Sequence, residues 1–169
     1  EVSAVNASYN DLAGSIEYTM EDAYQKAREK AEKILTDSKY DTELSKQYFE
    51  DNAKNSLDYN VAYILSAYSV SMEQTGTSKA HLLNKLDSVS DQLFTVEATE
   101  KTQEISITVD GKVQTVTVTY VVVTINRYDE EAILKAFGLN PDATYKSYGI
   151  TNREYVEYMA KALKMTIGE

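Results

Sequence analysis

The sequence contains no cysteine and no tryptophan, one proline, one histidine and six glycines. Without cysteine this chain has no thiol nucleophile, no disulfide framework and no cysteine-based zinc site. The compartment stays open, because oxidising compartments permit disulfides without requiring them. The lone histidine is His81. Any Ser-His-Asp arrangement would have to use it, and a two-histidine metal site cannot form within one chain. Neither common glycine-rich phosphate loop is present, and no Gly-x-Ser-x-Gly elbow exists. No run of about 18 apolar residues is found, so the sequence contains no membrane-spanning helix, and it has no secretory h-region. Cations are the minority: 17 Lys and Arg stand against 27 Asp and Glu, for a formal charge of −10. That balance argues against nucleic acid, whose phosphates need clustered cations, and against anionic lipid surfaces.

What is present is a globular composition. Of the 169 residues, 43% are hydrophobic and 26% charged, which fits one domain, or one domain with a long arm. The chain begins at Glu1 rather than methionine, and we therefore expect an upstream segment to have been removed.

Periodicity predicts an α+β fold, mostly helical, with one long two-stranded antiparallel β-hairpin packed on a central helix. Residues 1–40 read as a long N-terminal helix or arm, and 41–169 as a helical domain with the hairpin at 94–127, the whole forming one unit. From Asn6 to Asp37, Val5, Tyr9, Leu12, Ile16, Met20, Ala23, Ala27, Ala31 and Ile34 recur at steps of three and four and make one apolar stripe. The stripe narrows to alanine in its second half, where a neighbouring helix can approach closely. Such a helix either packs on its own domain or projects as a stalk. Asp41 caps a short helix expected over Thr42–Asn52. The segment Ser56–Glu73 is apolar nearly all round and reads as the buried centre of the core. Gly76 ends it, and a fourth helix follows over Ser78–Leu93.

The period then changes from 3.6 to 2. β-Branched residues dominate Phe94–Val109 and Lys112–Arg127, and Asp110-Gly111 between them is a strong two-residue hairpin signal. This turn sets Val109 opposite Lys112, Ile107 opposite Gln114 and Ile105 opposite Val116. Val116, Val118, Tyr120 and Val122 then share one face, while Val121, Val123 and Ile125 lie on the other, opposite Glu100, Ala98 and Val96. The root of the hairpin is apolar on both faces and the tip is rich in threonine. After Arg127, Asp129 caps a short helix ending at Gly138, and Thr151-Asn152-Arg153-Glu154 is a capping box that opens the last helix. Gly168-Glu169 reads as the start of a linker.

No catalytic residue, cofactor site or metal site emerges. His81 reads as a surface or boundary residue. Asp129-Glu130-Glu131 is explained by the helix dipole, which favours acids in a first turn. Two features are candidate interaction sites. The strand segment holding Gln114, Thr115, Thr117 and Thr119 has no charge to guard its edge, and is expected to be covered by the domain's own helices or by strand addition from another protomer or domain. Tyrosines number 14 against 3 phenylalanines, and Tyr145, Tyr148, Tyr155 and Tyr158 cluster near the C-terminus, reading either as the tyrosine-rich periphery of a small helical core, which helical spacing favours, or as a face offered to protein or glycan.

From about Tyr59 to Leu163 the segments Tyr63-Ile64-Leu65-Ser66-Ala67-Tyr68-Ser69-Val70, Leu82-Leu83-Asn84-Lys85-Leu86, Thr119-Tyr120-Val121-Val122-Val123-Thr124-Ile125, Ile133-Leu134-Lys135-Ala136-Phe137-Gly138-Leu139 and Tyr148-Gly149-Ile150-Thr151-Asn152-Arg153-Glu154-Tyr155 carry a family likeness. They resemble the non-catalytic extracytoplasmic region of cell-wall hydrolases encoded on conjugative elements of Firmicutes, whose catalytic part is an NlpC-type cysteine peptidase. The resemblance implies an accessory domain that positions a peptidoglycan hydrolase at the wall during conjugative transfer. It also implies an extracytoplasmic setting, at the cell surface or secreted, tethered by the removed N-terminal segment. The implied partners are another protein or the hydrolase domain itself, and peptidoglycan. No catalytic residue is carried over, because the peptidase chemistry needs a cysteine that this chain lacks. Two alternatives are a lysozyme-like glycosidase, since helices plus a hairpin also describe that fold, and a structural subunit of a secretion channel.

Overall fold

A computed structural model describes residues 2–167, with side chains described over 11–164. Six α-helices and a three-stranded sheet are present among them: α1 (Val2–Leu35), α2 (Thr42–Gln47), β1 (Glu50–Asp51), α3 (Leu57–Thr75), α4 (Lys79–Ser88), β2 (Phe94–Val109), β3 (Lys112–Arg127), α5 (Glu130–Ala136) and α6 (Asn152–Ile167). Gly168 and Glu169, and the side chains of Val5 and Tyr9, lie outside the described residues.

Helix α1 buries the predicted stripe. Leu12, Ile16, Met20, Ala23, Ala27 and Ala31 are all in the core, joined by Tyr24 and Leu35. The stretch that carries these residues lies against the domain and does not stand off as a stalk. Helix α3 is buried on nearly every side, with Tyr63, Ile64, Ala67 and Tyr68 inaccessible. It packs most extensively on α6 and next on α1. Gly76 closes it in the left-handed conformation at φ 68°, a C-cap geometry that glycine adopts without steric cost.

The hairpin forms in the register that its turn dictates. Asp110 and Gly111 have φ of 54° and 78°, both positive as a type I′ turn requires. Val109 pairs with Lys112, Ile105 with Val116, Ala98 with Val123 and Val96 with Ile125.

Three expectations are corrected. The sheet has three strands, in the order β1-β3-β2, because Glu50-Asp51 pairs in parallel with Thr124-Ile125. The second helix accordingly ends at Gln47 instead of running to Asn52: residues 50–52 gain main-chain partners on β3, including Asn52 N–H to the Ile125 carbonyl at 2.9 Å, that a continued helix would forgo. Second, the helix laid along the hairpin root is chiefly α1, not α3. Helix α1 lies against both strands of the hairpin, with Tyr24 meeting Phe94, whereas α3 lies chiefly against α6 and α1. Third, the fourth helix ends at Ser88, and a 3₁₀ turn at Ser90–Gln92 leads into the sheet.

Candidate functional site

The hairpin divides into a root that belongs to the core and an arm that does not. At the root, Val121, Val123, Ile125 and Phe94 are buried. The Phe94 ring meets Tyr24 of α1 edge-on at 5.5 Å, and Tyr120, on the opposite face, stacks on Tyr48 at 5.2 Å. A ring of polar contacts marks where the domain stops. The Asp41 N–H donates to the Thr119 carbonyl at 2.8 Å. The Val121 N–H donates to the Ser45 hydroxyl at 3.0 Å. On the other strand the Tyr40 hydroxyl donates to Glu100 at 2.6 Å, and the Lys39 ammonium lies 3.6 Å from the same carboxylate.

Beyond this ring the strands continue alone. Lys101–Val109, at about 3.4 Å per residue, carries the arm roughly 30 Å outward. Gln114, Thr115 and Thr117 are exposed and Thr119 is half-buried. The two faces of the arm differ. One holds Ile105, Ile107, Val109, Val116 and Val118 with Lys101 and Lys112; Ile107 and Val109 are about two-fifths exposed, at 37% and 41%. The other holds Thr102, Glu104, Ser106, Thr108, Thr115, Thr117 and Thr119, with Val113 at the tip 74% exposed.

The outer edge of β3 is covered in part. In a two-residue hairpin the even-numbered residues of β3 exchange hydrogen bonds with β2, so the odd-numbered ones face outward. Thr119 C=O, Val121 N–H and Ile125 C=O find partners in Asp41, Ser45 and Asn52 of the same chain. Val113, Thr115 and Thr117 present their main-chain groups beyond that cover. Of the two kinds of cover expected from sequence, the domain's own segments supply it at the root, from Thr119 onward, and do not reach Val113, Thr115 and Thr117. The residues that provide the cover, Asp41 and Ser45, carry no local sequence signal for it, since a serine in a short helix reads as a surface residue.

The tyrosine cluster is a packed feature with an exposed margin. Tyr145 is buried and stacks on Tyr155 at 3.8 Å, while Tyr148 sits 5.7 Å from Tyr145 and is 62% exposed. Tyr158 points away and is 69% exposed. Lys146 holds φ of 51°, a left-handed value rare for a lysine. Its ammonium pairs with Glu73 and lies over the Tyr145 and Tyr148 rings at 5.3 and 5.9 Å. The Lys146 ammonium, followed by the Tyr145 hydroxyl, holds the Glu73 carboxyl below its ordinary value. Burial, reinforced by Glu73, pushes the Tyr145 hydroxyl up to about 12.

A third polar centre pins β1 to α1. Asp51 accepts from the Tyr24 hydroxyl, from Arg28 at 3.3 Å, and from the N–H groups of Ala53 and Lys54 at 3.0 Å each. Burial alone would raise the Asp51 carboxyl, but the donors, Tyr24 first, outweigh it and hold the group low. Both displaced carboxylates, Asp51 and Glu73, therefore move away from the raised value that a general acid at neutral pH needs.

The remaining chemistry-bearing residues are dispersed. His81 is exposed on α4. Asp129 caps α5, Glu130 pairs with Arg127 at 3.0 Å, and Glu131 pairs with Lys135 at 3.1 Å and Arg153 at 3.4 Å. No group of three or more His, Cys, Asp or Glu among the described residues is arranged to hold a metal ion, and no described helix is long and apolar enough to cross a membrane. An open groove of about 400 Å³ lies between α1 and the start of β2, with Lys26 and Lys30 on one wall and Asp22 and Asp91 among them. Its mixed charges select no ligand class. Comparison with family models, curated proteins and solved structures finds no match to this chain.

Proposed function

We propose that this chain is a non-catalytic interaction domain that presents its hairpin arm to a protein partner. The observation that carries the reading is the arm itself. Beyond Glu100 and Thr119 both strands leave the core, expose one apolar and one threonine-rich face, and gain no burial from the domain that holds them. An isolated two-stranded hairpin is marginal in water, so an arm this long is better explained by what it meets than by what it adds to folding.

The sequence resemblance supplies the setting. In that reading the domain is extracytoplasmic and positions an NlpC-type peptidoglycan hydrolase at the wall during conjugative transfer. Asp51 and Glu73 are both held low, whereas a lysozyme-like glycosidase needs a carboxyl held high as its general acid, which supports a positioning role over a lysozyme-like one.

The test uses a variant lacking Gln103–Thr108 and Val113–Val118. It shortens both strands by the same even number of residues, so the turn and the inward and outward faces are kept. Wild type is expected to be retained by a purified NlpC-type peptidase domain or by purified peptidoglycan sacculi, and the short-arm variant to lose at least about tenfold in affinity, or 1.4 kcal/mol. Neither protein should release glycan or peptide fragments from sacculi. Equal retention of the two, or fragment release by either, refutes the proposal.

A further inference from the structure

The open edge of β3 is bounded at both ends, and the bounds are self-complementary. At the root side Asp41 occupies the position beside Thr119. At the tip side the type I′ turn at Asp110-Gly111 ends the strand. Between them only Val113, Thr115 and Thr117 turn their main-chain groups outward. This stretch has no charge, proline or glycine, the devices that commonly guard an edge. The neighbouring strand β2 is guarded by Glu97, Glu100, Lys101 and Glu104.

We propose that two copies of this chain associate by antiparallel pairing of β3 with β3 about a two-fold axis at Thr115, making one four-stranded sheet from two arms. This register sets Val113 opposite Thr117 of the other copy and Thr115 opposite its own counterpart. All three outward residues are used, and about six main-chain hydrogen bonds form, two for each directly opposed pair. Thr115 facing Thr115 is a favourable cross-strand pair, and no two charges are set opposite each other in the paired stretch.

The same register explains why the occupant is a second copy and not an arbitrary extended strand. Opposite Thr119, where Asp41 blocks the edge, it places Gly111 of the other copy, the point at which that chain turns away. A strand continuing straight would meet Asp41. The geometry also keeps the acidic bodies apart. The two Thr119 positions lie eight residues apart along the paired strands, roughly 27 Å at about 3.4 Å per residue. That is several times the Debye length of about 8 Å at physiological salt, so the charge of −10 on each chain opposes pairing weakly. A contact confined to three opposed pairs is smaller than a standard stable interface, so the dimer is expected to depend on concentration. This inference rests on the interaction reading only in taking the arm as a docking element, and involves no hydrolase.

The experiment is sedimentation equilibrium on the full chain. Wild type should rise with concentration from 19.0 kDa toward twice that mass. T115K and T115E, each with like charges on the axis, should stay at the monomer mass, and an equimolar mixture of the two should recover association. Far-UV circular dichroism checks that both variants are folded. Because the chain has no cysteine, T115C gives a single thiol. The proposed pairing sets the two thiols on Cα atoms about 5.5 Å apart, within disulfide reach, so oxidation should yield a covalent dimer. S106C, on β2 at the outside of the four-stranded sheet, should not cross-link. Wild type that remains monomeric up to about 1 mM, a T115K and T115E mixture that does not associate, or equal cross-linking of S106C would each overturn the proposal. Loss of self-association in T115K with unchanged retention by peptidase domain or sacculi would separate this contact from the function proposed above.

Discussion

Asp51 offers the sharpest test of how the third strand is held. Its side chain is only 11% exposed and accepts from four donors. One carboxylate oxygen serves the N–H groups of Ala53 and Lys54, and the other serves Tyr24 and Arg28. Asp51→Asn keeps the first oxygen and replaces the second with an amide donor, so Arg28 loses its acceptor and the Tyr24 hydroxyl must turn from donor to acceptor. The loss is a charge-assisted hydrogen bond, about 1.5–3 kcal/mol. Asp51→Ala removes both oxygens. Ala53 is fully buried, so its amide is left without a partner, which adds about 1–3 kcal/mol, while the exposed Lys54 amide turns to water at little cost. The expected order in urea unfolding at pH 7 is therefore wild type, then D51N, then D51A at about 2.5–6 kcal/mol below wild type. The pH dependence has a definite sign. The folded-state carboxyl is held below its unfolded value near 3.9, so as pH falls the unfolded chain takes up the proton first. The contribution of Asp51 is present above about pH 4 and is lost as pH falls through the depressed value. The gap between wild type and D51N should close over that window. A D51A variant within about 0.5 kcal/mol of wild type, or a gap that widens in acid, would refute the reasoning.

Leu65→Ala should cost about 2–5 kcal/mol by denaturant unfolding, because Leu65 is buried at the centre of α3. Burial and then Asp51 raise the Tyr24 hydroxyl to about 12, so the unfolded chain loses its proton first, near pH 10, and stability falls as pH rises through 10–12; Tyr24→Phe should reduce that alkaline slope in a pH series of melting temperatures. Gly111→Ala should cost about 1 kcal/mol, since φ is 78° with open space around the α-carbon; a change of sign would mean that the turn is not held in this conformation. Removing Gln103–Thr108 with Val113–Val118 should move monomer stability by about 0.5 kcal/mol or less, as these residues lie outside the core.

The hairpin was legible from sequence down to individual residue pairs. A two-residue turn admits one register, and once Asp110-Gly111 was recognised, Val109 to Lys112 and Val96 to Ile125 followed from counting. The helices were legible for a similar reason. A 3.6-residue period over many turns is a strong local signal, and caps such as Thr151 with Glu154 bond as a capping box should. The short strand at Glu50-Asp51 was not legible, because two residues carry no period and their conformation depends on β3 being beside them.

Local chemistry therefore determined what each segment is, and tertiary structure decided what each segment lies against. The sequence placed Gln114, Thr115, Thr117 and Thr119 on an unguarded edge. Only the folded chain divides that edge between a root closed by Asp41, Ser45 and Asn52 and an arm left open, because those partners come from a segment about 75 residues earlier. Likewise the tyrosine stretch was visible in sequence, but the burial of Tyr145 against Tyr155 and the exposure of Tyr148 and Tyr158 depend on how α6 and α3 meet. The exchange between α1 and α3 has the same origin. Apolar character says that a helix will be buried, whereas what it is buried against depends on partners distant in sequence, such as Phe94 on Tyr24 of α1.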